Sequence, residues 1–280
     1  MISEKKVCII GCAKNVEKHL EKTFAKITEI YNQFHSDSVI IIAENDSIDN
    51  TKQIMNIYKS NSCKNVILLN YDGKLNKYST RTSKLAYLRN ELIKYIHKHY
   101  STYDYIIIVD MDDVIHTLDI NNLMGVFNID SNWDAIFANS GINGKAMAYY
   151  DIWALRSPAM GIDYDCWDAI NHLMATGMQY NIAVDKCVKT FQKEIDINRG
   201  LIPVKSAFGG LGIYKLQSTR ACDYNGENNY CSCKHIKPKL NSCRNDVCEH
   251  VAFHIDMVRK GCKLFIYSQL LVNPPIEHIT

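Results

Sequence analysis

Apolar residues along the chain gather in short unbroken runs, and between several of these runs they recur at intervals of three and four. Unbroken β-branched runs predict strands buried on both faces of a mostly parallel sheet, and the 3.6-residue period predicts helices lying on it. Val7, Cys8, Ile9 and Ile10 form the first run. After the loop from Gly11 to Asn15 comes a helical stripe of Val16, Leu20, Phe24, Ile27, Tyr31 and Phe34, with Asn15 placed to cap it. Val39 to Ala43 is a second strand, ending in a polar turn from Glu44 to Thr51 where Asp49 or Asn50 can cap a helix to about Tyr58. Val66 to Leu69 is a third strand; a polar loop from Asn70 to Thr82 precedes the helical stripe Leu85, Leu88, Leu92 and Ile96, and a fourth strand covers Ile106 to Val109. The order βαβαβαβ predicts an α/β fold with a doubly wound, mostly parallel sheet flanked by helices and ligands at the carboxyl ends of its strands.

The alternation weakens after Val114. Ala135 to Ala138 and Tyr149 to Arg156 read as strands joined by a polar hairpin containing Gly141 and Gly144. Gly161 to Phe191 reads as loop plus helix, Glu249 to Lys260 as a helix and Leu264 to Val272 as a closing strand before Pro274 and Pro275. No internal repeat or low-complexity linker is visible, and the organisation changes near Asp113.

With 280 residues, 47% hydrophobic and 22% charged, the chain can bury a sizeable core. A net charge of +2 from 32 basic and 30 acidic residues gives no support for a nucleic-acid partner. Apolar runs stay far below the roughly 20 residues of a membrane span, and Met1 to Lys6 carries no signal-peptide pattern, so the expectation is a cytoplasmic protein or a catalytic domain clipped from an anchored one. Of eleven cysteines, Cys8, Cys12, Cys63, Cys166 and Cys187 are scattered and read as small buried residues. Cys222, Cys231, Cys233, Cys243, Cys248 and Cys262 crowd one loop-rich segment; their spacing fits no standard zinc pattern, so free thiols are the leading reading, with a zinc knot or disulfides as alternatives.

The chemistry gathers where the run Ile106 to Val109 stops at Asp110, Met111, Asp112 and Asp113. Three carboxylates in four residues repel one another, and a cation at a strand end offsets that repulsion. Oxygen ligands suit magnesium or manganese, which bind one or two carboxylates and take their other ligands from water and substrate phosphates. An Asp-x-Asp after a buried strand also fits a haloacid-dehalogenase-like phosphatase with Asp110 as nucleophile. That class needs a second acidic motif, usually Gly-Asp, and the chain has no Gly-Asp dipeptide.

Four islands together resemble the GT-A glycosyltransferases, and more narrowly the enzymes related to fungal capsule mannosyltransferases and their giant-virus counterparts: Ala43 to Thr51, Arg81 to Asn90, Ile106 to Asp113, and Gly209 to Tyr214 with Cys248-Glu249-His250. The resemblance implies one domain over 1–280, with a nucleotide-binding half at 1–113 and an acceptor-binding half at 114–280 that contains the cysteine-rich segment 222–262. It implies that Gly11, Lys14, Asn15 and Glu44 hold the nucleoside, that Arg81 and Arg89 face the diphosphate or brace the acidic motif, and that Asp110 meets ribose or sugar hydroxyls. Asp112 is expected on the cation with Asp110 and a late histidine, His278 rather than His254. Gly209, Gly210 and Gly212 are expected near the donor sugar, and Asp113 as a further acid or donor-sugar contact. Glu249 is the expected catalytic base of an inverting reaction. Asp46 and Asp49 read as turn and capping residues, and Trp153 and Asp151 as donor- or acceptor-site candidates. The implied activity is transfer of a sugar from a nucleoside-diphosphate donor, UDP-linked ahead of GDP-linked, to a hydroxyl of a glycan or protein, with Mn2+ or Mg2+. A non-catalytic sugar-binding relative would have lost the carboxylates that Asp110, Asp112, Asp113 and Glu249 retain.

Overall fold

A computed structural model of the chain describes residues 2–227 and 245–274. Strands β1 (Val7–Ala13), β2 (Val39–Glu44), β3 (Asn65–Asn70) and β4 (Tyr105–Val109) alternate with helices α1 (Glu17–Tyr31), α2 (Thr51–Asn61) and α3 (Arg81–His99). The four strands pair in parallel in the order β3-β2-β1-β4. The chain therefore builds outwards from β1 to β3 and then returns to the other side of β1. A crevice opens at the carboxyl ends of β1 and β4, where the strand order reverses.

The second half supplies α4 (Ile120–Gly125), β5 (Ala135–Ile142), β6 (Lys145–Ala146), α5 (Cys166–Ala175), α6 (Tyr180–Cys187), β7 (Leu201–Val204), β8 (Leu211–Lys215), α7 (Glu249–Arg259) and β9 (Leu264–Val272). It continues the same sheet as β4-β8-β5-β9-β7. β8 runs antiparallel to both β4 and β5, β9 lies parallel to β5, and β7 is an antiparallel edge. The antiparallel insertion of β8 brings the chain before Leu211 beside the end of β4, which positions the site.

Residues alternate across the sheet. Cys8, Ile10, Ile41, Ile106 and Ile108 join one core with Leu88, Leu92 and Ile96 of α3 and Phe253 and Met257 of α7. Val7, Ile9, Ile40, Ile42 and Ile107 join a second with Leu20, Phe24 and Ile27 of α1 and Met55 of α2. Burial on both faces is why these strands read as unbroken apolar runs.

Several local expectations are corrected. Tyr149 to Arg156 is not a strand: the segment turns on itself and touches strand-like pairing only at Arg156 opposite Ser206. The hairpin after β5 turns at Asn143 and Gly144, both at positive φ, but returns through β6. Gly161 to Phe191 holds two helices, α5 and α6. Leu264–Val272 is the closing strand expected, and it lies inside the sheet between β5 and β7. Asn15 does not cap α1; it adopts φ 52, and its side chain accepts from the Ile48 amide at 2.9 Å. Asp49 caps both helices instead, accepting from the Glu17 amide at 3.2 Å and the Thr51 amide at 3.0 Å. Cys63 is exposed rather than buried. Among the described residues Cys222, Cys248 and Cys262 are free thiols; Cys231, Cys233 and Cys243 lie outside them.

Candidate active site

The β4 run ends at Asp110, and the following turn folds back over β1. A Cβ on Gly11 would sit 2.6 Å from the Met111 sulfur, so glycine is what lets this turn settle onto the strand. Opposite it, the Asp110 amide donates to the Gly210 carbonyl at 2.9 Å, and the Gly209 amide donates to Asp151 Oδ2 at 2.9 Å. Gly209 and Gly210 have φ values of 65 and 83, a backbone that L side chains resist. The glycine pair thereby ties two carboxylates, Asp110 and Asp151, to one turn.

Burial pushes the Asp110 carboxyl up to about 7, with the charge of Asp112 adding to it, the Arg89 guanidinium opposing, and Asp151 and Glu249 adding further. Arg89, buried on α3, donates through Nη2 to Asp110 Oδ1 at 3.3 Å and through Nη1 to Glu249 Oε1. Its guanidinium carbon lies 5.4 Å from the ring centre of Phe208 and 5.8 Å from that of Tyr224. Glu249 is the first residue of α7, where the amide groups of the opening turn favour a carboxylate. One cation thus links the acidic strand end to the start of α7.

Two histidines lie behind this pair. His250 stacks on Phe208 with ring centres 3.8 Å apart, and burial holds it well below the usual imidazole range. His254 is pushed down to about 3 by burial and the Arg89 charge; its Nδ1 pairs with Ser206 Oγ and its Nε2 with the Tyr214 hydroxyl, each at 2.9 Å. Both ring nitrogens are thereby engaged in the core.

Arg89, Asp110, Asp112, Asp151, Glu249 and His250 line the floor of a cleft of about 1070 Å³. One wall carries Lys14, Asn15, Asn45, Arg81 and Lys84 from the loops after β1 and β2 and the first turn of α3. The other carries Trp153, Trp167, Tyr180, Asn181 and Val184. Lys189 and Gln192 line the cleft beside these aromatic rings.

No protein-family model matches the chain, and no curated protein matches it. Solved structures do. A mannosyltransferase from Pyrobaculum calidifontis, in complex with GDP-Man and Mn2+, superposes with a TM-score of 0.50 at 10% identity, covering 96% of this chain and 56% of that one. S. aureus TarS, residues 1–349, gives 0.49 at 12% identity over 95% of this chain and 59% of that one. Glucosyl-3-phosphoglycerate synthase from Mycobacterium tuberculosis, with Mn2+, uridine diphosphate and glucosyl-3-phosphoglycerate, gives 0.45 at 8% identity, covering 98% and 75%. The fold is of the GT-A type. The chain spans little more than half the length of the first two structures. None of these likenesses reaches the capsule mannosyltransferases or giant-virus enzymes, for which the four sequence islands stand alone.

Within the GT-A frame the expected residues separate. Lys14, Asn15, Arg81, Arg89, Asp110, Asp112 and Glu249 all line the cleft. Gly11 lies beneath the floor and Gly209 and Gly210 behind it, where they shape the backbone that carries the acids. Glu44 is buried, with Oε1 accepting from the Ser47 amide at 2.8 Å and Oε2 3.6 Å from the Lys52 ammonium; its neighbour Asn45 faces the cleft. Asp113 turns away to Lys22 at 3.6 Å and His116 at 3.2 Å. Asp46 closes a turn by accepting from the Gly73 amide at 2.7 Å. His278 lies outside the described residues. Asn45, Lys84 and His250 were not singled out from sequence. Lys84 could have been, because it follows Arg81 by three positions on one helix face; the other two required the fold.

Among the described residues no three His, Cys, Asp or Glu side chains converge as a self-contained metal site. The floor nonetheless suits a divalent ion: Asp110 and Asp112 both line it with carboxylate oxygens, and the Asp112 charge that adds to the effect of burial on Asp110 is a repulsion a cation would relieve. Magnesium- and manganese-type sites complete such a pair with water and phosphate oxygens.

Proposed function

We propose that the protein is a cation-dependent glycosyltransferase that moves a hexosyl group from a nucleoside-diphosphate sugar to a hydroxyl acceptor with inversion. The observation that carries this reading is the placement of Asp110, Asp112, Arg89 and Glu249 on one cleft floor at the β1/β4 crevice. Asp110 and Asp112 would hold Mn2+ or Mg2+, with Asp110 also within the reach of ribose or sugar hydroxyls. The ion would supply Lewis-acid neutralisation of the leaving diphosphate. Lys14, Arg81 and Lys84 would meet the donor's phosphate oxygens, where arginine can offer two parallel donors. Asn45, rather than the internally bonded Glu44, would meet the nucleoside.

Glu249 would act as the base. Arg89 holds one of its oxygens, which offsets the cost of burying the carboxylate and fixes its orientation. The acceptor oxygen attacks the anomeric carbon, its proton passes to Glu249, and the bond from the anomeric carbon to the diphosphate oxygen breaks with the electron pair leaving on the nucleoside diphosphate.

Thermal shift with UDP, GDP and ADP, each with and without Mn2+, tests the reading, since a ligand that binds only the folded state raises its melting temperature. The expected result is a cation-dependent shift with one nucleotide, lost in Asp112→Ala. No shift with any of the three would overturn it.

A further inference from the structure

The aromatic wall of the cleft is held by a hydrogen-bond network of its own. Asp165, largely buried, accepts the Trp153 indole N–H through Oδ2 at 2.9 Å, and its Oδ1 accepts the Trp167 and Asp168 amides at 3.0 and 3.1 Å, capping α5. Arg156 closes the network: it donates to Asp165 Oδ2 at 3.2 Å and to the Trp153 and Leu155 carbonyls at 2.9 and 2.8 Å. One carboxylate therefore fixes the ring of Trp153 and the helix start that carries Trp167. With its N–H committed to Asp165, the Trp153 indole presents carbon surface to the cleft rather than a donor.

Behind this wall Arg156 pairs with Asp165 at 3.2 Å, and Lys189, which lines the cleft, reaches Asp185 at 3.3 Å. Asn181 adds an amide to the same wall. Fixed aromatic surface with an amide beside it matches a ring with an apolar C–H face and hydroxyl edges. It does not match an anion, which the Lys14, Arg81 and Lys84 side would attract.

We infer that Trp153 and Trp167 form a stacking platform for a neutral sugar ring, so that the acceptor is a glycan, with Asp165 as the residue that positions the platform. The inference rests on the transferase reading above.

Tryptophan emission of the full chain tests it. The chain has three tryptophans, and Trp133 is buried in the other core layer, stacked on Tyr105 at 5.9 Å, away from the cleft. Neutral trisaccharides of glucose, mannose, galactose and N-acetylglucosamine are titrated one at a time, alongside a serine- and threonine-containing peptide. At least one trisaccharide should change the emission saturably. Trp153→Leu and Trp167→Leu should each weaken its binding by roughly three- to tenfold, the range of one aromatic contact. Trp153→Phe substitutes if the leucine variant does not fold, and should weaken binding less. Saturable binding by the peptide alone would overturn the glycan assignment, as would a sugar response that both leucine variants retain in full. If no sugar acts while a nucleotide with Mn2+ still raises the melting temperature, the platform is wrong and the transferase reading stands. A sugar response without any nucleotide response would keep the platform and remove the transferase.

Discussion

Arg89 and Glu249, 160 positions apart in sequence, form a buried ion pair, and the same guanidinium reaches Asp110 at 3.3 Å. The pair couples α3 to α7 across one face of the sheet and sets the distance between the acidic strand end and the proposed base. Removing Arg89 would leave Glu249 as an uncompensated charge in the interior. Arg89→Ala is expected to lose about 3–5 kcal/mol of stability in chemical denaturation. Arg89→Met combined with Glu249→Gln should recover much of that loss, because the orphaned charge goes with its partner, yet it should remain without transfer activity. Equal stability of the single and double variants would show that the pair is not the source of the loss.

Asp110 gives a pH signature of opposite sign to an ordinary salt-bridged aspartate. Its carboxyl is raised to about 7 by burial and neighbouring acids, so the folded chain holds that proton more tightly than the unfolded chain does. Without a divalent ion, stability from this group is therefore fully present below the usual carboxylate range and is lost as pH rises from there through about 7. Asp110→Asn should melt higher than the parent at pH 8 in EDTA, with the advantage shrinking towards pH 5. Mn2+ should raise the parent's melting temperature at pH 8 more than the variant's. Melting curves of the two proteins that run parallel across this range would rule the effect out.

Much of this was legible in the chain because its first half obeys a simple rule. β1, β2 and β4 are buried on both faces, so their sequences are unbroken apolar runs, and the abrupt stop at Asp110 marks the carboxyl edge. Tyr149 to Arg156 misled for a related reason. Tyr149, Ile152, Ala154 and Leu155 are as buried as strand residues, but they are packed by turns under the cleft rather than by a ladder. Burial alone writes the same letters. Glu44 shows another limit: a carboxylate at the end of β2 suggested a ligand contact, and the fold also gives it internal partners, the Ser47 amide and Lys52, that no local pattern records. Arg89 and Glu249 were each visible as residue types, but their contact follows from β8 entering antiparallel beside β4 and the chain returning as α7 on the α3 face, which no local pattern records.

His254 makes a prediction that separates it from the cation site. Its ring is held neutral, down to about 3, between Ser206 and Tyr214. The unfolded chain gains a proton near the usual imidazole value while the folded chain does not, so this group's stability contribution is complete above about pH 6.5 and is lost as pH falls below it. His250 acts in the same direction. The trend opposes that of Asp110 in the same window, so the variants must be compared individually. His254→Phe should flatten the acid limb of the stability curve and leave the Mn2+-induced shift intact. Loss of the Mn2+ shift in this variant would return His254 to the list of metal ligands.

Gly210 tests whether the glycine turn shapes the floor. A Cβ there would fall 2.6 Å from Val114 Cγ1 and 3.2 Å from the Tyr150 hydroxyl, at a φ of 83. Both the backbone and the space resist alanine, and the Gly210 carbonyl is the acceptor for the Asp110 amide. Gly210→Ala is expected to cost about 1–3 kcal/mol and to weaken cation-dependent nucleotide binding by shifting Asp110. Gly144→Ala, at a φ of 74 with nothing within 4 Å of the added carbon, isolates the conformational part and should cost about 1 kcal/mol. Binding should be unaffected there, because the β5–β6 turn does not line the cleft. If the two alanine variants bind nucleotide and Mn2+ equally well, the turn at Gly209 and Gly210 does not hold Asp110 in place, and the register of β8 against β4 must do so alone.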